Sequence, residues 1–312
     1  MIVEQSKQII AEVNKAFIGK EEIVEKVLMT IYAGGHVLLE DAPGVGKTTL
    51  ALAFSKVLGL SSKRIQFTTD TLPSDITGFT MYNRENNQFE YREGAANCQL
   101  LLADEINRTS PKTQSALLEV MEEGNVTVDG VTRPLPEPFT VIATENPLGS
   151  SGTQMLPESQ LDRFMVCLSI GYPGHEAAMD ILKDNAKKPI TLLESVMTVE
   201  RFMELRKKTN EMFVHDSMYE YIVTLVEETR TNPLFSMGAS PRGSIALLRM
   251  AKAMAVLDDR EYITPEDVRS VLVDVLGHRV KLSTKARAEG KNVHQALDEL
   301  FLGVKVPRTS QV

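Results

Sequence analysis

The sequence predicts an α/β fold: a parallel sheet with helices on both faces and β-hairpin insertions, followed by an all-α domain. Three observations carry this reading. The apolar run His36-Val37-Leu38-Leu39 enters a glycine-rich turn, Glu40-Asp41-Ala42-Pro43-Gly44-Val45-Gly46-Lys47-Thr48-Thr49, and leaves it in the helical run Leu50-Ala51-Leu52-Ala53-Phe54. A second apolar run, Gln99-Leu100-Leu101-Leu102-Ala103, ends in two adjacent carboxylates, Asp104 and Glu105. After Gly171-Tyr172-Pro173-Gly174 the strand pattern stops and helical periodicity takes over. At 312 residues the chain exceeds one comfortable core. The expected division is a core over 1–170, with an N-terminal helical linker, and a helical domain over 171–312.

Composition narrows the class. Hydrophobic content of 43% and charged content of 24% are ordinary for a soluble chain. No apolar run approaches the roughly 20 residues that span a bilayer, and Met1–Ile10 mixes charges through its apolar positions, unlike a signal peptide. The expectation is therefore a cytoplasmic protein without membrane insertion. A net charge of −8 argues against a nucleic-acid partner, and the basic group Arg201, Arg206, Lys207 and Lys208 reads as a solvated helix face. Cys98 and Cys167 sit among strand-like apolar residues and read as buried thiols. The five histidines show no ligand spacing, so no zinc site is expected.

In chain order, residues 3–32 read as two helices broken at Phe17-Ile18-Gly19-Lys20; Ile18 and Gly19 are either a plain turn or a contact for an adenine. Gly34-Gly35 ends the second helix and starts the first strand. The glycine-rich turn between strand and helix is a phosphate-binding loop in its required context. Gly44 and Gly46 let successive N–H groups turn inward, Lys47 reaches the β- and γ-phosphates, and Thr48 ligands Mg²⁺. Ala42, Pro43, Val45 and Thr49 complete the cradle. Asp41 stands where the consensus has glycine, a position outside the tight cradle where a side chain is expected to be tolerated. The loop thus reads as a site for nucleotide phosphates with Mg²⁺, in a core of the P-loop NTPase type.

Arg64–Phe67 gives a second strand. Thr80–Asn83 and Gln88–Tyr91 form a hairpin around a polar centre. The strand ending at Asp104-Glu105 places both carboxylates at the sheet edge beside the phosphate loop. There Asp104 holds Mg²⁺ opposite Thr48, and Glu105 takes a proton from the attacking water. Ser110–Glu123 is an amphipathic helix with Pro111 in its first turn. Asn125–Thr132 is a second hairpin, turning at Asp129-Gly130. Phe139–Thr144 is a buried strand running into Glu145-Asn146-Pro147, where Asn146 either orients the water or makes an Asx-turn. Leu156–Phe164 holds a short helix before a last strand, Met165–Ile170; Arg163 either pairs with a nearby carboxylate or reaches a neighbouring subunit's phosphate. Helical runs follow at Glu176–Asn185, Val199–Lys208, Ser217–Glu228, Ser244–Leu257 and Pro265–Leu276, with start signals at Ser240-Pro241-Arg242-Gly243 and Thr264-Pro265-Glu266-Asp267. The end, 305–312, reads as frayed.

Taken together, the phosphate loop with its strand, Leu72-Pro73-Ser74-Asp75-Ile76-Thr77-Gly78, Ala103-Asp104-Glu105-Ile106-Asn107-Arg108 and Leu161-Asp162-Arg163-Phe164 resemble AAA+ ATPases, and more narrowly the MoxR family, over residues 18–280. The resemblance implies a nucleotide-binding core and a helical lid. It makes the first hairpin an insertion in the second core helix, Asn146 the first sensor, Arg163 the arginine finger and Arg242 the second sensor. Arg108 matches a basic family position. The family reads Gln-Asn-Pro where this chain has Glu145-Asn146-Pro147, and Glu93–Asn97 departs from a more apolar pattern; neither difference is expected to touch the phosphate chemistry.

The implied mechanism places ATP·Mg²⁺ between core and lid, with Lys47, Arg242 and a neighbour's Arg163 on the γ-phosphoryl group. The implied assembly is a homo-oligomer, as a hexameric ring. The implied role is chaperone-like remodelling with a von Willebrand factor A domain protein supplied in trans. Two alternatives are a nucleotide-dependent binding switch with negligible turnover and a DNA-acting motor.

Overall fold

The computed structural model describes residues 2–41, 44–146, 155–183 and 190–307. Two helices, α1 (Ile2–Asn14) and α2 (Glu21–Tyr32), precede β1 (Val37–Glu40), and α3 (Lys47–Val57) and β2 (Ser62–Gln66) follow it. A short helix, α4 (Pro73–Thr77), leads into the hairpin β3 (Phe79–Asn83) and β4 (Gln88–Arg92). Next come β5 (Leu100–Asp104), α5 (Pro111–Glu123), the second hairpin β6 (Asn125–Val128) and β7 (Val131–Pro134), and β8 (Thr140–Glu145). The core closes with α6 (Glu158–Leu161) and β9 (Val166–Leu168).

Five strands form a parallel sheet in the order β2-β5-β8-β1-β9. Helices cover both faces, which is why β1, β5 and β8 are nearly uniform apolar runs rather than alternating ones. Val37 and Leu39 face one apolar cluster with α1, α2 and α3, whereas Leu38 faces a second with Leu117, Leu118 and Phe164. The crossovers separate β1, β8 and β5 in sequence and make them neighbours in space. The phosphate loop after β1, Glu105 after β5 and Asn146 after β8 therefore meet at one sheet edge.

The remaining elements are α7 (His175–Lys183), α8 (Val199–Glu211), α9 (Asp216–Thr231), β10 (Phe235–Met237), α10 (Pro241–Leu257), α11 (Pro265–Leu276), β11 (Lys281–Leu282), α12 (Thr284–Ala288) and α13 (Val293–Gly303). The start signals form as expected: Ser110, Ser240 and Thr264 accept backbone N–H groups as N-caps, each followed by proline at the first helical position. The C-terminal part is not helices only. β10 and β11 pair antiparallel around the buried Phe235 and Leu282, and strands of three and two residues are too short to leave an alternation in the sequence. The first apolar cluster is continuous from the sheet through α1 and α2 into α10 and α11, joining Ile9, Val13 and Leu28 with Leu247, Met250 and Leu272. The linker helices are thus packed as much on the lid as on the core.

Candidate active site

The phosphate loop is built for an anion. Gly44 and Gly46 take φ of +87° and +97°, the left-handed region that side chains rarely adopt. A Cβ at Gly46 would stand 3.0 Å from the Phe17 ring, so the linker turn packs directly on the loop. Gly46 caps α3, whose N-terminus points at the cradle. Lys47 is buried, and its Nζ donates to two carbonyls, Asp41 O at 2.7 Å and Glu145 O at 3.2 Å. Burial pushes its ammonium below the ordinary lysine range, with Asp41, Asp104, Glu105 and Glu145 pulling the other way. Both of these acceptors are carbonyls and the four carboxylates act at longer range, so a phosphate would give the ammonium a charged partner in contact. Val45 and Thr49 flank this cradle, half-buried; Ala42 and Pro43 lie outside the described residues.

Across the loop, the Thr48 hydroxyl donates to Asp104 Oδ2 at 3.4 Å, so the two expected Mg²⁺ ligands face one another. Oxygen donors of this kind, one hydroxyl and one carboxylate with open positions, suit a metal that keeps several waters. Asp104 Oδ2 also accepts from Arg64 at 2.8 Å, and its Oδ1 accepts from the Thr144 hydroxyl at 2.6 Å. Thr144 in turn accepts the Glu105 N–H at 2.9 Å. One buried hydroxyl therefore orients both carboxylate residues. Glu105 itself is in the left-handed region at φ 57°, a conformation that costs a side-chain residue of order 1–3 kcal/mol and gathers at functional sites. Its Oε2 accepts from Gln66 at 3.0 Å and from Arg108 at 2.7 Å, giving Arg108 a definite place beside the catalytic candidate. The Asn146 carbonyl accepts from Asn107 at 3.1 Å, which fixes its backbone beside the carboxylate strand; Pro147 lies outside the described residues.

Glu145, where the family reads glutamine, is not neutral in its consequences. It pairs in register with Glu40 across β1 and β8 and is only 1% exposed, and neither of its carboxyl oxygens meets a donor among the described residues. Burial first, then the charge of Glu40, pushes its carboxyl up to about 7, against the pull of Lys47.

The two arginines lie elsewhere. Arg163 precedes β9 and Arg242 opens α10, and both pair with Glu122 at the end of α5, Arg163 at 3.2 Å. They line a cavity of about 260 Å³ together with Gly34, Gly35 and His36, which precede β1. This is the edge of the sheet opposite the phosphate loop, separated from it by the four residues of β1, about 13 Å at 3.3 Å per residue. Arg242, expected on the γ-phosphoryl group, lies on Glu122 and shares an edge with Arg163, not with Lys47. Arg279, buried and bonded to Asp162 and to the carbonyls of Phe164 and Met165, locks the segment that carries Arg163. His36 holds the same edge as a neutral ring: Nδ1 accepts the Val141 N–H at 3.0 Å, Nε2 faces Met121 O, and burial lowers it to about 4.

Ile18 is half-buried and Gly19 exposed at φ +83°, its Cα against Ala177 of α7; of this turn it is Phe17 that touches the loop. Sequence reasoning missed Thr144, Arg64, Gln66, Glu122 and Arg279. Thr144 was the only one with a signal, a hydroxyl at the end of an otherwise apolar strand; the others become partners only through strand order.

The comparisons agree with the fold. A family model described as ATPase family associated with various cellular activities (AAA) matches residues 36–166, and one described as AAA lid domain matches 227–300. Uncharacterized protein YeaC of Bacillus subtilis is 48% identical over 96% of this chain and 93% of its own length. Chaperone MoxR1 of Mycobacterium tuberculosis is 36% identical over 99% of this chain and 84% of its own. The crystal structure of a presumed ATPase from Cytophaga hutchinsonii superposes with a TM-score of 0.90 at 36% identity, covering 98% of this chain and 96% of that one. With its parallel five-stranded core, its helical lid and its ordered motifs, the chain belongs to the MoxR family of AAA+ ATPases.

Proposed function

We propose that the chain binds ATP·Mg²⁺ at residues 42–49, hydrolyses it as a homo-oligomer, and uses the resulting movement of its lid to remodel or mature a partner protein. The observation that carries the reading is the edge where Lys47, Thr48, Asp104 and Glu105 converge, with Thr144 bridging the last two. Thr48 and Asp104 would hold Mg²⁺, which supplies charge neutralisation on the phosphates when bound. Lys47 offers its ammonium to the phosphates from a buried position. Glu105 accepts a proton from the attacking water at a carboxylate oxygen, and Asn146 orients that water. Arg163 and Arg242 work on the nucleotide of the next subunit, because their own phosphate loop lies at the other sheet edge. A cation supplied in this way raises turnover by about 10³-fold or more.

A hexameric ring in the cytoplasm is the assembly proposed from the family. The name of the mycobacterial relative supports the chaperone-like role. A von Willebrand factor A domain protein in trans is the proposed partner.

The decisive variant is Glu105→Gln. It is expected to bind ATP within about threefold of wild type while turnover falls by about 10²-fold or more. A variant that still turns over at the wild-type rate would remove Glu105 from the chemistry.

A further inference from the structure

Asp41 stands where the phosphate-loop consensus has glycine, and it is bonded in two directions. Its carbonyl accepts the Lys47 ammonium at 2.7 Å, and its own N–H donates to Glu145 O at 3.2 Å. Its buried carboxylate accepts the Ser169 hydroxyl at 3.2 Å, the Gly171 N–H at 3.1 Å and the Ile170 N–H. Residues 169–171 are the corner where the chain leaves β9 for the lid. Gly171 sits at φ +66°, and α7 begins four residues later at His175. A glycine at position 41 could hold the lysine through its carbonyl but would have nothing to offer the corner.

We propose that Asp41 is a coupling residue: it carries the engagement of Lys47 to the core–lid corner, so that the position of the lid follows occupancy of the phosphate loop. The proposal rests on the reading of that loop as an ATP site. With Lys47 turned toward an anion, the Asp41 carbonyl loses its donor and its peptide is free to reorient. The carboxylate on the same residue passes that displacement to the amides of Ile170 and Gly171. Gly171 can absorb the rotation without a side-chain penalty. Ala177 of α7 already touches Gly19 of the linker turn, so rotation at the corner shifts α7 along the turn that packs on Gly46 through Phe17.

The test is amide hydrogen exchange at residues 170 and 171 in the full chain, with and without a slowly hydrolysed ATP analogue, beside a separate titration of analogue binding. Wild type is expected to protect both amides and to change their exchange when the analogue binds. Asp41→Gly, which restores the consensus loop, is expected to bind the analogue within about threefold of wild type. Its two amides should exchange about tenfold faster and no longer respond to the analogue. Asp41→Asn, which keeps the shape but loses the charge, should fall between them and serves if the glycine variant fails to fold. Wild-type protection, or a wild-type response, in either variant would overturn the coupling. Wild type that binds the analogue with unchanged exchange at 170–171 would overturn the coupling alone; wild type that binds no analogue would overturn the ATP reading as well.

Discussion

Thr144 carries no charge, yet it donates to Asp104 and accepts from Glu105, two residues proposed for different tasks. Replacing it with valine keeps the volume of a fully buried side chain and removes both bonds. Thr144→Val is expected to lower ATP turnover by about 10- to 100-fold, the usual range for a residue that orients metal ligands. Thr144→Ser should recover most of that loss; equal rates for valine and threonine would assign the hydroxyl no role. Glu145 has a different signature. In the folded chain its carboxyl keeps its proton up to about pH 7, whereas its ordinary value is 4.5. The contribution to stability is complete below about pH 4.5 and is lost as the pH rises toward 7 and beyond. Glu145→Gln, which cannot ionise, is expected to gain melting temperature over wild type as pH goes from 5 to 8; a pH-independent gap would contradict the buried-pair reading. At this scale the legible residues were those whose chemistry is written in local spacing: Lys47, Thr48, Asp104, Glu105. Arg64, Gln66 and Glu122 were not legible, because only the strand order brings them to their partners.

Elements explain what residues alone do not. The first hairpin leaves Phe79, Tyr82 and Phe89 exposed, with Tyr82 and Phe89 stacked edge-on at 5.3 Å near its tip. Its base is tight instead. A Cβ at Gly94 would lie 2.2 Å from the Ile76 carbonyl oxygen and 2.4 Å from the Gly78 nitrogen, both backbone atoms that cannot step aside. Gly94→Ala is therefore expected to destabilise the chain by about 1–3 kcal/mol in denaturant unfolding while leaving ATP affinity unchanged. An unaltered unfolding midpoint would show that the base relaxes freely. The segment Glu93–Asn97, which departs from the family pattern, thus packs at the base of the hairpin. The starts of α5, α10 and α11 were readable from their capping signals, and both hairpins from their alternation and turn residues; α12 and α13 were not among the expected helices. α13 nevertheless carries a readable signal, the cap Asn292 with Gln295 and an apolar face of Ala296, Leu297, Leu300 and Phe301. The pairing of β10 with β11 had no such signal.

For the whole molecule, what matters is which sheet edge each group occupies. A parallel sheet puts everything that follows a strand on one edge and everything that precedes a strand on the other. Lys47, Glu105 and Asn146 follow strands; Arg163 precedes one, and Arg242 joins it through Glu122. The motifs and their order were legible in the sequence, and so was the lid. The place of Arg242 beside Arg163 rather than beside Lys47 was not, because a lid's orientation depends on packing of α10 and α11 against α2 and β9 rather than on any local pattern. On the proposed reading, a molecule with its phosphate loop on one edge and Arg163 and Arg242 on the other offers half of a site at each face. The direct measurement is steady-state ATPase rate against protein concentration, with and without an excess of Arg163→Ala subunits. The activity per subunit is expected to rise with concentration and to be suppressed by the variant; a rate independent of concentration and indifferent to the variant would mean that each subunit hydrolyses ATP alone.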